Sequence, residues 1–418
     1  LRNRRKWKNW PLPINTTEET LGEYWMKRKL LPLLAAGLSA SSVVGAADNI
    51  PTIYGKVNVT LNNYSFDRIK NATTSYTAQD NWQLESNASR IGVKGDYPVA
   101  GDTKIIYKLE YELFADGSPS SQTGASKYNT FTQRNTYAGL QGGWGTLFAG
   151  KNDTPLKAIA AETVQLFKDL PLTDYKYFLV GEDRESNIIQ YTTPNFSGFA
   201  FSAQIEPGED SGGDNAPTHD NSGLIDRYSL AATYKQKNVY AALANAHNVN
   251  NANIVRAVGQ VGVGPVTLGA LWQKADRNYK DSFDKTNQTT KSLYLPSVGS
   301  LPVSQSGASN GNLVSDFTGG SIKSQDGYAL SAGWKIDGSW TVKGQYGRST
   351  TEADGDHSSP LGLGDTKLTS YALGVDYKLN DNAKVFAYYA ELKADGDNRK
   401  YDGMLKDKTF AVGYDFKF

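Results

Sequence analysis

Phe410-Ala411-Val412-Gly413-Tyr414-Asp415-Phe416-Lys417-Phe418 are the last nine residues of this 418-residue sequence. Successive side chains of a strand point to opposite faces. One face here carries Phe410, Val412, Tyr414, Phe416 and Phe418; the other carries Ala411, Gly413, Asp415 and Lys417. A soluble edge strand with so apolar a face invites aggregation. A strand of a membrane-spanning barrel requires that face, with apolar side chains toward acyl chains and small or polar ones toward a wet lumen.

The same alternation recurs upstream. Ile105, Tyr107, Leu109, Tyr111 and Leu113 alternate with Lys104, Lys108, Glu110 and Glu112. Ile53, Gly55, Val57, Val59 and Leu61 alternate with Tyr54, Lys56, Asn58, Thr60 and Asn62. Strands are expected near 52–64, 82–96, 102–115, 130–141, 145–151, 185–193, 196–206, 225–235, 238–247, 252–262, 265–275, 325–336, 339–349, 366–379, 382–392 and 408–418. Short connections rich in Gly, Pro, Asn and Asp alternate with long polar ones, of which 276–324 is the longest. A soluble sandwich has no reason to sort its loops this way, whereas a transmembrane barrel has short periplasmic turns and longer extracellular loops. No stretch after residue 47 is apolar for long enough to make a spanning helix, so a membrane form must be a closed barrel that pairs every backbone group. The expected fold is therefore all-β: a transmembrane antiparallel β-barrel of sixteen strands in a single domain over 48–418.

Composition agrees. Glycine (41) and tyrosine (25) are abundant, as suits an all-β chain with many turns. Cysteine is absent, so no disulfide holds the fold. Lys and Arg (44) nearly balance Asp and Glu (43), so no nucleic-acid footprint is visible. Met26 is followed by the basic Lys27, Arg28 and Lys29, an apolar run from Leu30 to Ser39, and small residues through Ala47. That is the pattern of a cleaved secretory signal, expected over 26–47. Residues 1–25 resemble neither targeting nor domain sequence and are read as an upstream extension, with Met26 the expected start.

Several stretches resemble the general diffusion porins of Gram-negative outer membranes: Ile53-Tyr54-Gly55-Lys56-Val57, Ser89-Arg90-Ile91-Gly92-Val93-Lys94-Gly95, Tyr137-Ala138-Gly139-Leu140 with Gly143-Trp144-Gly145-Thr146-Leu147-Phe148-Ala149-Gly150, and Asn187-Ile188-Ile189-Gln190-Tyr191-Thr192-Thr193-Pro194-Asn195-Phe196-Ser197-Gly198. Their order and spacing cover essentially all of 50–418. The resemblance implies an outer-membrane channel for passive diffusion of small hydrophilic solutes and ions, usually a homotrimer. Membrane lipids and lipopolysaccharide would surround it. The barrel-assembly machinery would insert it, reading the terminal Tyr414, Phe416 and Phe418. The family's third long loop folds into the lumen, and here that loop is 152–184. It is unusually apolar, with Leu156, Ile159, Val164, Phe167 and Phe178 among others, and a loop that apolar packs inside something. A short helix is expected over 158–168. The loop lacks the Pro-Glu-Phe-Gly-Gly signature of the enterobacterial members, so the shape of its constriction is not carried over.

The family pairs acids on that loop with basic residues on the wall. The acidic candidates are Glu162, Asp169, Asp174, Glu182 and Asp183. The wall candidates are Lys56, Arg90, Arg134 and Arg184, with Lys94, Lys108 and Arg227 second. Arg184 reads equally as a tether at the loop base. Tyr97, Trp144, Phe199, Tyr234, Trp272, Trp334, Trp340 and Phe418 read as interface girdles. No cofactor is implied, although Glu209, Asp210 and Asp214 could hold divalent cations weakly. His219, His247 and His357 are the three histidines, and no nucleophile or metal-ligand pattern accompanies them, which argues against an enzyme. The alternatives are a substrate-specific channel for a sugar, peptide or anion, an adhesin or phage-receptor barrel, and a secreted soluble β-protein.

Overall fold

A computed structural model describes residues 50–66, 81–116, 131–161, 163–208, 223–249, 252–277, 322–353, 365–396 and 404–418. In chain order the strands are β1 (Thr52–Phe66), β2 (Asn81–Ser86), β3 (Arg90–Ala100), β4 (Thr103–Leu113), β5 (Phe131–Gly142), β6 (Gly145–Asp153), β7 (Arg184–Thr192), β8 (Phe199–Glu206), β9 (Arg227–Gln236), β10 (Val239–Val249), β11 (Ala252–Val263), β12 (Val266–Arg277), β13 (Ile322–Lys335), β14 (Trp340–Ala353), β15 (Thr366–Lys378), β16 (Ala383–Gly396) and β17 (Met404–Lys417). Successive staves pair antiparallel, and β17 returns to pair with β1 from Lys56↔Lys417 to Phe66↔Asp407. β2 and β3 both pair with β1 and are two halves of one stave. The barrel is therefore closed and sixteen-stranded, as the alternation predicts. Every expected segment overlaps a strand.

The break between β2 and β3 reverses the phase of its stave. β1 advances three residues between Val59↔Ser86 and Lys56↔Arg90, while its partner advances four. This is a β-bulge, with Ala88 at φ 51. Ser89 Oγ accepts from the Asn58 N–H at 3.0 Å and donates to the Asn58 carbonyl at 3.1 Å, so the ladder is patched by a side chain. Trp82 and Leu84 before the bulge, at even positions, are exposed on the outer face. Arg90 after it, also at an even position, turns inward to reach an ion pair there. A second bulge, where β4 meets β5 between Leu109 and Tyr111, likewise brings both Arg134 and Tyr137 to the lumen phase.

Outside, the large apolar residues form the exposed surface, including Phe410, Val412, Tyr414 and Phe418 of the final strand. Rings pair at the short-turn end: Trp144 stacks with Tyr191, while Phe199 meets Tyr234 and Trp340 meets Tyr377 at a tilt. Inside, the principal apolar cluster is built by the segment between β6 and β7. Leu156, Val164, Phe167, Leu172, Phe178 and Leu179 are buried against inward-facing alanines of β10 to β16. Burying each large side chain contributes roughly 1.5–3 kcal/mol.

That segment begins with a single short helix, α1 (Pro155–Ala161), three residues earlier than the composition suggests. Proline is favoured at the first helical position, where its missing N–H costs nothing. Thr154 caps the turn, its Oγ accepting from the Lys157 N–H at 3.2 Å. The helix ends at Ala161 rather than continuing toward 168. Thr163 Oγ donates to the Ile159 carbonyl at 3.0 Å, a local bond that competes with the helical ladder.

Candidate functional site

The folded-in segment is held against the wall of β9 to β16 by side chains of the wall reaching its backbone. Ser229 Oγ accepts from the Leu156 N–H. Gln325 accepts from the Val180 N–H at 2.9 Å, and Gln273 donates to the Val180 carbonyl at 3.0 Å. Gln345 accepts from the Leu166 N–H at 3.1 Å and donates to the Thr173 carbonyl at 2.6 Å. Ser370 donates to the Leu172 carbonyl at 2.7 Å. A loop inside a barrel has no ladder of its own, so its buried amides need such partners. Where apolar side chains press on the wall, the wall is bare. Gly269 faces Val164, Gly327 faces Leu179, Gly347 faces Phe178 and Gly374 faces Phe167, each close enough that a Cβ would collide.

The loop tip is shaped to present one carboxylate. Asp174 starts a 3₁₀ turn (Tyr175–Tyr177), accepting from the Lys176 N–H at 3.1 Å and from the Asp169 N–H at 2.8 Å. Asp169 itself sits at φ 69, a left-handed conformation that aspartate tolerates better than most residues. Its side chain meets the basic wall: Oδ2 lies 3.2 Å from Lys56 Nζ and 3.7 Å from an Arg90 guanidinium nitrogen. Burial alone would raise the Asp169 pKa, but Lys56, then Arg90 and Arg134, hold it well below the usual carboxylate range. Lys56 is shared with Asp415 of β17 at 3.5 Å.

Behind this contact the wall carries its own acids. Arg134 Nε donates to Glu110 at 3.1 Å, and its terminal nitrogen to Glu112 at 2.5 Å. Lys108 also pairs with Glu110, at 3.2 Å. The Tyr54 hydroxyl donates to Glu110 at 2.9 Å, and Lys94 and Lys108 lie 5.3 and 5.7 Å from the Tyr54 ring centre. Farther round, Asp376 joins Lys343 at 3.0 Å and Lys384 at 2.7 Å. Glu110 and Glu112 share the strand phase of Lys108, which is the signal that marks them in sequence. Asp376, Asp415, Lys343 and Lys384 carry no local signal beyond lumen phase.

The other candidates lie apart from the Asp169 contact. Glu182 is sealed against Arg256 at 2.6 Å, with side chains 2 % and 0 % exposed. Arg256 also donates to Gln273, to the Leu156 carbonyl and to the Val180 carbonyl, so this pair pins both ends of the loop to β11. Arg184 pairs with Asp153 at 2.9 Å and with Asn135, at the loop base. The Asp183 carbonyl accepts from the Thr154 N–H there. Arg227 pairs with Glu206 at 2.5 Å, at the end of β9 that follows a long connection. Glu162, Glu209, Asp210, Asp214, His219 and His357, and nearly all of the connection 276–324, lie outside the described residues.

A closed sixteen-stranded barrel with an apolar exterior, a charged interior and an inward-folded segment after β6 defines the porin class. The chain belongs to the Gram-negative porin family, whose model matches residues 33–397. It is similar to major outer membrane protein P.IB of Neisseria gonorrhoeae, with 26 % identity over 215 residues, covering 49 % of this chain and 56 % of that protein. It is also similar to the chitoporin of Vibrio furnissii, with 28 % identity over 208 residues, covering 47 % of this chain and 52 % of that protein. The chain thus spans about half the length of these curated relatives. Among solved structures, an anion-selective porin from Comamonas acidovorans matches with TM-score 0.57 and 17 % identity over 89 % of this chain and all of that one. A trimer form of OmpT from Vibrio cholerae matches with TM-score 0.55 and 15 % identity, over 88 % and 99 % of the two chains.

Proposed function

We propose that the protein is an outer-membrane channel through which small hydrophilic solutes and ions diffuse passively, with Asp169, Lys56, Arg90 and Arg134 framing its narrowest point. The observation that carries this reading is the Asp169 contact: a loop packed on one part of the wall delivers a carboxylate to a cluster of cations on β1 and β3. A sieve needs fixed charge at a narrow point and no tight site. Around that point Lys56, Arg90, Lys94, Lys108, Arg134, Lys343 and Lys384 outnumber Glu110, Glu112, Asp169, Asp376 and Asp415, which favours a weak preference for anions. Residues 26–47 serve as the export signal in this reading, and Tyr414, Phe416 and Phe418 present the chain for assembly. A homotrimer is the expected state, the form in which one structural relative is described.

Single-channel recording of the purified protein tests the proposal. Linear, size-limited conductance with a small anion preference is expected. Concentration-dependent block by one sugar or peptide, absent for unrelated solutes, would replace the general sieve with a substrate-specific channel.

A further inference from the structure

Inward positions near the short turns are expected to be small or polar, because they face a wet lumen, yet β5 and β6 place two rings there. Tyr137 and Phe148 stack with centres 4.2 Å apart and planes 27° from parallel. Phe148 fills the space over Gly139, where a Cβ would lie 2.5 Å from the Phe148 Cβ. It comes from β6 and so covers the β6 side of the Tyr137 ring. On the β4 side, the direct partner of Tyr137 is Lys108. Lys108 leans away, its Nζ 3.2 Å from Glu110 and 5.7 Å from the Tyr54 ring centre. One face of the Tyr137 ring is therefore left open. Other inward rings are engaged by the folded-in segment: Tyr64 and Tyr388 are sealed in its apolar cluster, and the Tyr240 hydroxyl donates to the Ile159 carbonyl. Tyr54 and Tyr137 stay half-buried.

The open face lies beside positive charge. Lys94, Lys108 and Tyr137 stand side by side across β3, β4 and β5. Their row is four residues from the Arg90↔Glu112 pair, toward the short turns, or about 13 Å along the strand. The Tyr54 ring crosses Gly92, where a Cβ would lie 2.5 Å from its Cζ. That ring holds the Lys94 and Lys108 ammoniums 5.3 and 5.7 Å from its centre, a range in which a cation is attracted to the ring. Like charges directly opposed across strands are destabilising. Glu110 meets Lys108 but is shared with Arg134. Lys94 is exposed and has no carboxylate partner among the described residues. The two ammoniums favour an incoming carboxylate, and the ring face next to them favours a flat, aromatic one.

We propose that Tyr137, Lys94 and Lys108 form a lumen subsite for a small aromatic carboxylate, its ring on the open face of Tyr137 and its carboxylate between the two ammoniums. Phe148 and Tyr54 are the positioning rings, one backing Tyr137 and the other holding the lysines. The proposal rests on the channel reading above and names a solute class for it. Small-ligand sites combine an apolar, aromatic lining with a few placed polar groups, and one open ring with two cations holds a solute weakly enough to let it pass.

The test is chloride conductance of the full chain in planar bilayers, titrated separately with benzoate, cyclohexanecarboxylate, benzyl alcohol and a neutral disaccharide. Benzoate is expected to lower the current at about 3- to 10-fold lower concentration than cyclohexanecarboxylate, which has the charge but no aromatic face. Benzyl alcohol, which has the ring without the charge, is expected to leave the current unchanged. Tyr137→Leu is expected to bring the two acids together, and Tyr137→Phe to keep them apart. Lys94→Gln is expected to weaken both acids alike and leave their ratio intact, a readout that a purely structural role would not give. Heat-dependent gel migration checks that each variant forms a closed barrel, and the Lys94 variant keeps the test open should Tyr137→Leu fail to fold. Equal block by the two acids in the wild type, or an undiminished ratio in folded Tyr137→Leu, overturns the proposal, as does unchanged block in Lys94→Gln. Block by benzyl alcohol at benzoate concentrations overturns the carboxylate assignment, and stronger block by the disaccharide replaces the aromatic acid with a sugar. A protein that conducts chloride without distinguishing the acids refutes this subsite alone, and one that fails to conduct refutes the channel reading.

Discussion

Asp169 combines two properties that rarely coincide: a left-handed backbone and a buried charge facing at least two cations. Held conformations of this kind cluster at functional points, because the surroundings must over-determine them. Asp169→Asn keeps the size and the backbone tolerance but removes the charge. It is expected to shift the reversal potential in a salt gradient further toward anions, while Arg90→Ala shifts it toward cations; unchanged potentials in both would remove these residues from the narrow point. The pH dependence follows from the depressed pKa. An unperturbed aspartate titrates near 3.9, and Asp169 lies below that in the fold. Its contribution to holding the loop tip is therefore complete above about pH 4 and is lost only as pH falls through the lower, folded-state value. Selectivity measured from neutral pH down to about 4 is expected to be flat with respect to this group, with any Asp169-dependent change confined to more acidic solution.

At the scale of the element, the segment between β6 and β7 is a piece of core without secondary structure to match. It stays in place because the wall offers glycine hollows and side-chain amides in the places where the loop offers rings and unpaired backbone. Gly347→Ala puts a methyl group about where the fully buried Phe178 ring now lies, with the nearest ring atom 2.2 Å from the new Cβ. Overpacking of this kind costs about 1–3 kcal/mol, and here it is expected to lift the loop, seen as larger or noisier conductance and faster proteolysis within 154–183. Arg256→Ala leaves Glu182 buried without its cation, a loss of about 3–5 kcal/mol for a sealed pair. It is expected to free the loop ends in the same assays, whereas wild-type current noise in that variant would show that the pair is not what pins them. Neither hollow nor pair is visible locally in the sequence: Glu182 and Arg256 are far apart in the chain and meet only when β11 curves back past the loop.

At the scale of the whole molecule, closure depends on one seam. Phe418 and Gly55 exchange backbone hydrogen bonds at 2.9 and 3.1 Å, and the Phe418 ring covers Gly55 so closely that a Cβ there would lie 2.3 Å from it. Phe418→Ala is expected to slow and reduce closure of the refolded barrel, read as a smaller heat-modifiable fraction on an unboiled gel. That seam joins the last strand to the first, and the last strand is also the one whose alternation is plainest. Each strand residue here lies between lipid and a wet or packed interior, so hydropathy must switch at every step and the staves can be read from one sequence. The bulges at Asn87–Ser89 and beside Arg134 escape that reading, because an extra residue is recognisable only against a partner strand. The composition of the charged interior escapes it for the same reason. Alternation placed Lys56, Arg90 and Glu110 on the inner face, but which acid meets which base depends on how far one stave is shifted against the next. Local order thus determined the strands, their faces and their number. Only the closed barrel decided that Asp169 alone among the described loop acids meets the basic wall at Lys56 and Arg90, because strand shear and the docking of the loop set distances between residues that the chain itself keeps far apart.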